Sequence, residues 1–302
     1  MVLRGSKSNA IRESLGSKIF DAFNYVFLAF AGMLCILPFL YVIGGSFATE
    51  GELTTRSFFI IPRTFTLDAY KYIFSTSALA NSFKNTLIIT IGGTAINLFF
   101  TVSMAYALAK KDLIGRNAII NMVIFCMLFG GGMIPTYLLV RNLGMLDTYW
   151  ALWLPGAISP FNLFIVRNFF EEFPGELRDS AEIDGCNVPQ TLWYIVLPLS
   201  KAVLATFALF YGVGHWNAFM GPLLYLNDSK KWPIQIILRN LIIASSGTAG
   251  LGSLVDMPPD YQPPAQALKL AVIVVATVPI LLVYPFLQRY FVKGVMIGSL
   301  KG

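Results

Sequence analysis

DSAEIDGCNVPQTLWYIVLP, residues 179–198, turns from polar to apolar halfway along, in a chain that is 56% hydrophobic and only 13% charged. Glu171, Glu172, Glu176, Asp179, Glu182 and Asp184 crowd into this stretch and the residues before it, between two long apolar segments. Pro174 suits the first turn of a helix, Glu176 and Asp179 favour the positive end of its dipole, and Gly185 suits a C-terminal cap. A short helix over 174–184 is therefore predicted, with Leu177, Ala181 and Asp184 on one face and the small Ser180 and Ala181 allowing another surface to approach closely. A second helix starts near Pro189, with Val188, Leu192, Ile195, Val196 and Leu199 at helical spacing. The result is a compact acidic knob; read as charge alone, the same residues also fit a solvated helix that caps its neighbours.

Outward from this knob the chain is mostly oil. Among 302 residues, six runs lack Asp, Glu, Lys and Arg: Ala22–Ala48, Asn85–Ala109, Asn117–Val140, Thr148–Val166, Ala202–Asn227 and Leu270–Gln288. A bilayer crossing needs about 20 apolar residues as a helix, because backbone polar groups in lipid must be satisfied within the segment. The expectation is an all-α polytopic membrane protein with six transmembrane helices and both termini on one side, built as a single domain over 1–302.

Lys and Arg near the span ends set the orientation. Arg4, Lys7, Arg12 and Lys18, then Lys110, Lys111 and Arg116, and finally Arg289, Lys293 and Lys301 are placed in the cytoplasm. The loop 167–201 then faces the cytoplasm, while 49–84, 141–147 and 228–269 face outward. The first apolar run is longer than a signal-peptide core and reads as a retained anchor. The net charge of +6 reads as positive-inside topology, with no nucleic-acid partner. Cys35 and Cys126 in apolar runs and Cys186 in the loop predict neither disulfide nor metal site.

The energy source follows from what the spans contain. Ion-coupled carriers keep ionisable groups within the membrane, and here the runs hold none beyond the single His215. No Gly-x-x-x-x-Gly-Lys-Ser/Thr loop is present to cradle ATP. Gly130-Gly131-Gly132 stands within an apolar run and reads as a helix interruption. Active transport then requires a separate motor subunit. A self-contained channel or carrier explains the spans only, and an embedded enzyme has no paired acids or metal ligands to work with; no catalytic residue is assigned.

The order of residues in the knob resembles the integral-membrane permease subunits of ABC importers, whose signature runs Glu-Ala-Ala, three residues, Gly, nine residues, Ile-x-Leu-Pro. Here it reads Asp179-Ser180-Ala181, Gly185, then Ile195, Leu197 and Pro198, with both spacings kept. Asp179 replaces Glu and Ser180 replaces Ala, changes that keep charge or small size. The resemblance covers nearly the whole chain and implies a type I ABC importer permease. In that family 167–201 carries a coupling helix, here Asp179 to Gly185 with Asp184 in its last turn, that docks on the ATPase subunit. ATP and Mg belong to that partner, and no cofactor is implied in this chain.

Phe129–Phe170, Trp216–Asn217, Pro222–Leu226 and Gln288–Gly302 resemble the carbohydrate, maltose-type branch, and the first of these is similar to importers of alginate- and pectin-derived fragments. By similarity, Lys293 and Gly294 are candidates for a further ATPase contact. The family also implies a second homologous permease, two ATPase copies, an extracytoplasmic sugar-binding protein and an oligosaccharide substrate in a bacterial cytoplasmic membrane. In the outer loop 228–269, Asp256, Pro258, Asp260 and Tyr261 are candidates for touching the binding protein.

Sugars are held by aromatic faces and hydrogen bonds, which makes Asn97, Tyr106, Tyr211, His215, Trp216, Asn217 and Tyr225 candidates for the sugar path. The alternative for each is ordinary: Trp and Tyr anchor span ends at the interface, and Asn or His joins helices by hydrogen bonds.

Overall fold

The computed structural model describes residues 15–75, 77–245 and 265–299. Every regular element among them is a helix. Asp256, Pro258, Asp260 and Tyr261 lie outside the described residues.

Helix α1, Leu15–Ser46, carries Phe23, Phe27 and Phe30 exposed along its length, as lipid-facing residues are. Two short helices follow, α2 at Glu50–Thr55 and α3 at Asp68–Ser75. Glu52 of α2 is buried: its carboxylate accepts the backbone N–H of Arg63 at 2.9 Å and pairs with Arg56, so the irregular 56–64 segment folds back on α2. Helix α4, Ser77–Ala109, has 33 residues and is about 50 Å long at 1.5 Å per residue.

The next apolar run does not form one rod. Helices α5, Arg116–Leu128, and α6, Met133–Asn142, meet at 118° across the glycine triplet, where the interruption was expected. The fourth run is also divided: α7 covers Trp150–Trp153 and α8 covers Pro160–Glu171. Pro155 and Pro160 explain the division, since proline lacks the N–H a helix interior needs and restricts the residue before it. Ser159 caps α8 by accepting the N–H of Asn162. At 12 residues, α8 is about 18 Å long, shorter than a hydrocarbon core of about 30 Å.

Beyond the loop, α9 spans Gly175–Ile183 and α10 spans Val188–Thr191; a π-helical turn, Leu192–Val196, leads into α11, Leu197–Leu199. Helix α12, Lys201–Asn217, leaves at 86° to the 188–199 segment, and α13, Met220–Tyr225, ends the fifth run. Helix α14 covers Ile234–Ser245, and α15, Ala265–Ser299, closes the chain with Pro279 and Pro285 inside it. Among the described residues, α1, α4 and α15 are each long and apolar enough to cross a membrane, and the two bent pairs raise the total to five. The all-helical class expected from the sequence holds, and three to five candidate spans stand among the described residues where six were expected; the glycine triplet and Pro155 and Pro160 divide apolar runs that hydropathy reads as continuous.

Two apolar clusters organise the molecule along α4. Near its start, Leu79 packs with Tyr72, Ile73, Ile234, Ile237, Leu268 and Ala271. Near its end, Val102, Ala105 and Leu108 pack with Leu163, Val166 and Phe170 of α8 and with Val196 and Phe207. In lipid, helices gain little from hiding apolar surface, so close packing and interhelical hydrogen bonds hold such clusters together.

Candidate functional site

The acidic knob forms as a helix with a complete C-terminal cap. Gly185 has φ +81°, its N–H reaches the carbonyl of Glu182 at 3.1 Å, and the N–H of Cys186 reaches the carbonyl of Ala181 at 2.9 Å. These two bonds are the paired reverse contacts of a Schellman motif, which needs a residue that accepts left-handed backbone. Two residues later Asn187 starts the next helix with a reciprocal capping box: its Oδ1 accepts the Gln190 N–H at 2.9 Å, and Gln190 Oε1 accepts the Asn187 N–H at 2.8 Å. The local sequence thus fixes both the stop of α9 and the turn into α10.

On α9, Ala181 is the residue turned inward, while Asp179, Ser180 and Asp184 are exposed. The Ser180 hydroxyl donates to the Glu176 carbonyl within the helix. Leu177 and Ile183 present apolar surface outward, Ile183 being 86% exposed. Further on, Ile195 and Leu197 are half-buried and Pro198 is exposed. Lys293 and Gly294 fall within α15.

Behind α9 lies a cluster that hydropathy gave no reason to single out. Arg116, the first residue of α5, donates Nε to the Leu108 carbonyl of α4 at 2.9 Å and places Nη2 on Glu171 of α8. Arg167 donates to the same carboxylate at 2.6 Å. Lys110 faces Glu182 of α9 at 3.8 Å. The four-residue spacing of Arg167 and Glu171 was a visible helical pair; the long-range partner Arg116 was not.

The sugar-path candidates separate into packing and cavity residues. Asn97 is buried and bridges three segments: its amide nitrogen donates to the carbonyls of Gly156 at 2.6 Å and Ala157 at 3.0 Å, and its Oδ1 lies 2.6 Å from His215 Nε2. Tyr211 shares a 2.8 Å hydrogen bond with Thr101, and Tyr106 packs edge-on against Phe170. Trp216 donates to the Ala276 carbonyl at 2.9 Å, and exposed Asn217 donates to the Val213 carbonyl of its own helix. Tyr225 stacks on Tyr137. His215 and Tyr225 line a cavity of about 120 Å³ with Ala151, Pro155 and Pro222, and Trp216 lines another of about 290 Å³ with Leu87, Gly212 and Pro279. The structure thus joins Asn97, His215 and Tyr225 in one neighbourhood and assigns Tyr106, Tyr211 and Trp216 internal partners.

At the opposite end of α4, Asn85 donates to the carbonyls of Lys230 and Trp232, and Thr86 accepts the Ile234 N–H. Asp147, with φ +58°, accepts the N–H groups of Asn227 and Asp228 and the Lys231 ammonium at 2.6 Å. The Lys231 bond comes first in holding the Asp147 carboxyl below its ordinary pKa, and Asp147 raises that of Lys231 in return. Asn85 and Leu108 are separated by about 35 Å along α4 at 1.5 Å per residue.

The chain as a whole is similar to known proteins in sequence and in fold. The chain is 58% identical over 294 residues to Protein LplC of Bacillus subtilis (strain 168), covering 97% of this chain and 99% of that one. It is 51% identical over 286 residues to the polygalacturonan/rhamnogalacturonan transport system permease protein YtcP of the same organism, covering 95% and 99%. A solved bacterial ABC transporter involved in the import of the acidic polysaccharide alginate includes a chain that superposes with a TM-score of 0.85 at 28% identity, over 93% of this chain and 100% of that one. Residues 8–297 match the model of the inner membrane component of binding-protein-dependent transport systems, and the chain is a member of that permease family.

Proposed function

We propose that the chain is one transmembrane subunit of an ATP-driven importer that takes up oligosaccharides, with uronate-containing polysaccharide fragments as the substrate class. The observation that carries the reading is α9: a capped helix with Leu177 and Ile183 exposed, set where the chain turns between α8 and α12. An apolar residue exposed on a helix tip, with acidic neighbours, is suited to seating in a cleft of a partner. The names of the pectin-type relative and of the alginate importer support the acidic substrate class.

In this reading α9 lies on the cytoplasmic side with both termini, and docks on one of two ATPase subunits that hold ATP and Mg. Asp179, Ser180, Ala181, Asp184 and Gly185 form the docking unit, and Ile195, Leu197 and Pro198 brace it. A second homologous permease completes the pathway, and a sugar-binding protein delivers substrate to the outer face, where 228–269 meets it. ATP binding draws the paired docking helices together and favours the outward-open state, and hydrolysis favours the inward-open state; each step acts through its unequal affinity for the two states. His215, Asn97 and Tyr225 are the path residues this geometry favours.

The test is ATP hydrolysis by the assembled complex with binding protein loaded with neutral or uronate-containing oligosaccharides. Stimulation by the uronate class is the expected result. Stimulation by neutral sugars alone overturns the acidic assignment, and sugar uptake in the absence of any ATPase overturns the importer reading.

A further inference from the structure

We infer that Glu171 and Arg116 form the joint through which movement of α9 is passed to α4, and that α4 is the rod that carries it to the opposite end of the molecule. The inference rests on the reading of α9 as the ATPase-docking helix.

Glu171 is the last residue of α8, and α9 begins at Gly175. Its carboxylate is gripped by Arg116, whose Nε simultaneously holds the Leu108 carbonyl. Leu108 stands in the final turn of α4, where carbonyls have no partner within the helix. One guanidinium therefore ties together the ends of α4, α5 and α8, a task suited to its fixed fork of donors. Arg167 holds Glu171 from one turn back and so keeps the carboxylate oriented. The three side chains are 15–23% exposed, so their charges are partly shielded from water and a missing partner is felt.

A direct tie to α9 from the residue that follows α4, Lys110 with Glu182 at 3.8 Å, has Glu182 63% exposed, and exposed pairs of this kind are weak. Beside the joint, buried Phe170, Val166 and Leu163 lock α8 against α4, so the two helix ends move together. Farther along α4, Thr101 bonds Tyr211, Asn97 bonds His215, and Asn85 holds Lys230 and Trp232. Coupling between distant sites needs an element that both sites can bias. Helix α4 touches the joint at one end, the His215 cavity neighbourhood midway and the 230–234 segment at the other.

The experiment measures sugar imported per ATP hydrolysed by the complete importer in proteoliposomes, with its loaded binding protein. Arg116→Ala and Glu171→Ala are each expected to lower this ratio about threefold or more, with the ATPase still copurifying, and the double variant is expected to do no worse than either single one because all three break one link. Arg116→Lys keeps the charge but cannot hold the Leu108 carbonyl and Glu171 together, so the ratio stays low. A purely structural role lowers the yield of complex and both activities in step, leaving the ratio unchanged. Should an alanine variant fail to assemble, Glu171→Gln, which keeps shape without charge, is judged by the same ratio. Gly185→Val, which disturbs α9 itself, runs in parallel. A lowered ratio there with normal ratios at Arg116 and Glu171 overturns the joint and leaves the docking helix standing. Normal ratios in all variants overturn both.

Discussion

Asn97 Oδ1 lies 2.6 Å from His215 Nε2, while the same amide's nitrogen donates to the carbonyls of Gly156 and Ala157. The two carbonyls belong to the proline-bounded break between α7 and α8, so one side chain satisfies backbone that lipid would leave bare. Gly93, one turn before Asn97, makes room for the imidazole: a Cβ there would sit 2.5 Å from Nε2. Asn97 therefore bridges the break between α7 and α8 to the histidine of α12.

Asn97→Leu keeps the branched outline of the side chain, though it is bulkier, and removes every one of these bonds. The expected cost is about 1–2 kcal/mol, in the range measured for interhelical hydrogen bonds in membranes with a buried acceptor left unpaired. Thermal unfolding in detergent checks this, and an unchanged midpoint would mean that water already serves these carbonyls.

Gly185 tests the cap of α9. Apart from its own chain neighbours, no heavy atom lies within 4 Å of the position a Cβ would take there, so crowding is not the issue; the φ of +81° is. A β-branched residue in left-handed backbone costs about 1–2 kcal/mol, whereas Asn adopts it readily. Gly185→Val should reduce uptake per ATP hydrolysed, and Gly185→Asn should retain it. Equal behaviour of the two variants would refute the role of the cap.

The Asp147–Lys231 pair makes a prediction in pH. Asp147 has its pKa lowered in the folded protein, so its stabilisation is present above the unfolded value of about 3.9 and is lost as pH falls through the lower folded value. Lys231 has its pKa raised, so its share is present below about 10.4 and is lost only as pH rises beyond that. Asp147→Asn keeps a side chain that tolerates positive φ and removes the charge. Its melting temperature should fall below that of the native protein by a constant amount between about pH 5 and 9, with the gap closing below about pH 4. A gap that does not narrow at all as pH falls below about 3.9 would show that the carboxylate charge is not what holds the 227–231 segment.

Much of α9 was legible because its determinants are local. Pro174, Glu176 and Gly185 mark a start and a stop within a dozen residues, and the helix runs from Gly175 to Ile183 with Gly185 in the left-handed position. The glycine triplet as an interruption was legible for the same reason. Span shape was not: Thr148–Val166 has the hydropathy of a crossing, yet Pro155 and Pro160 divide it, and a hydropathy window averages over them. The sugar-path candidates were chosen by residue type, and type does not say whether a polar group faces a cavity or a neighbouring carbonyl. Tyr211 turned to a partner on another helix, Trp216 both bonds another helix and lines a cavity, and His215 reached a cavity wall.

By itself the sequence determined the solvent, the helical class and the capped acidic helix, because apolar content, backbone satisfaction in lipid and cap chemistry act over a few neighbouring residues. Only the tertiary structure decided how sharply the interrupted runs bend, that Asn97 meets His215, and that Arg116 meets Glu171 55 positions away along the chain. Contacts of that separation depend on how whole helices cross, and helix crossing is set by packing over many side chains at once.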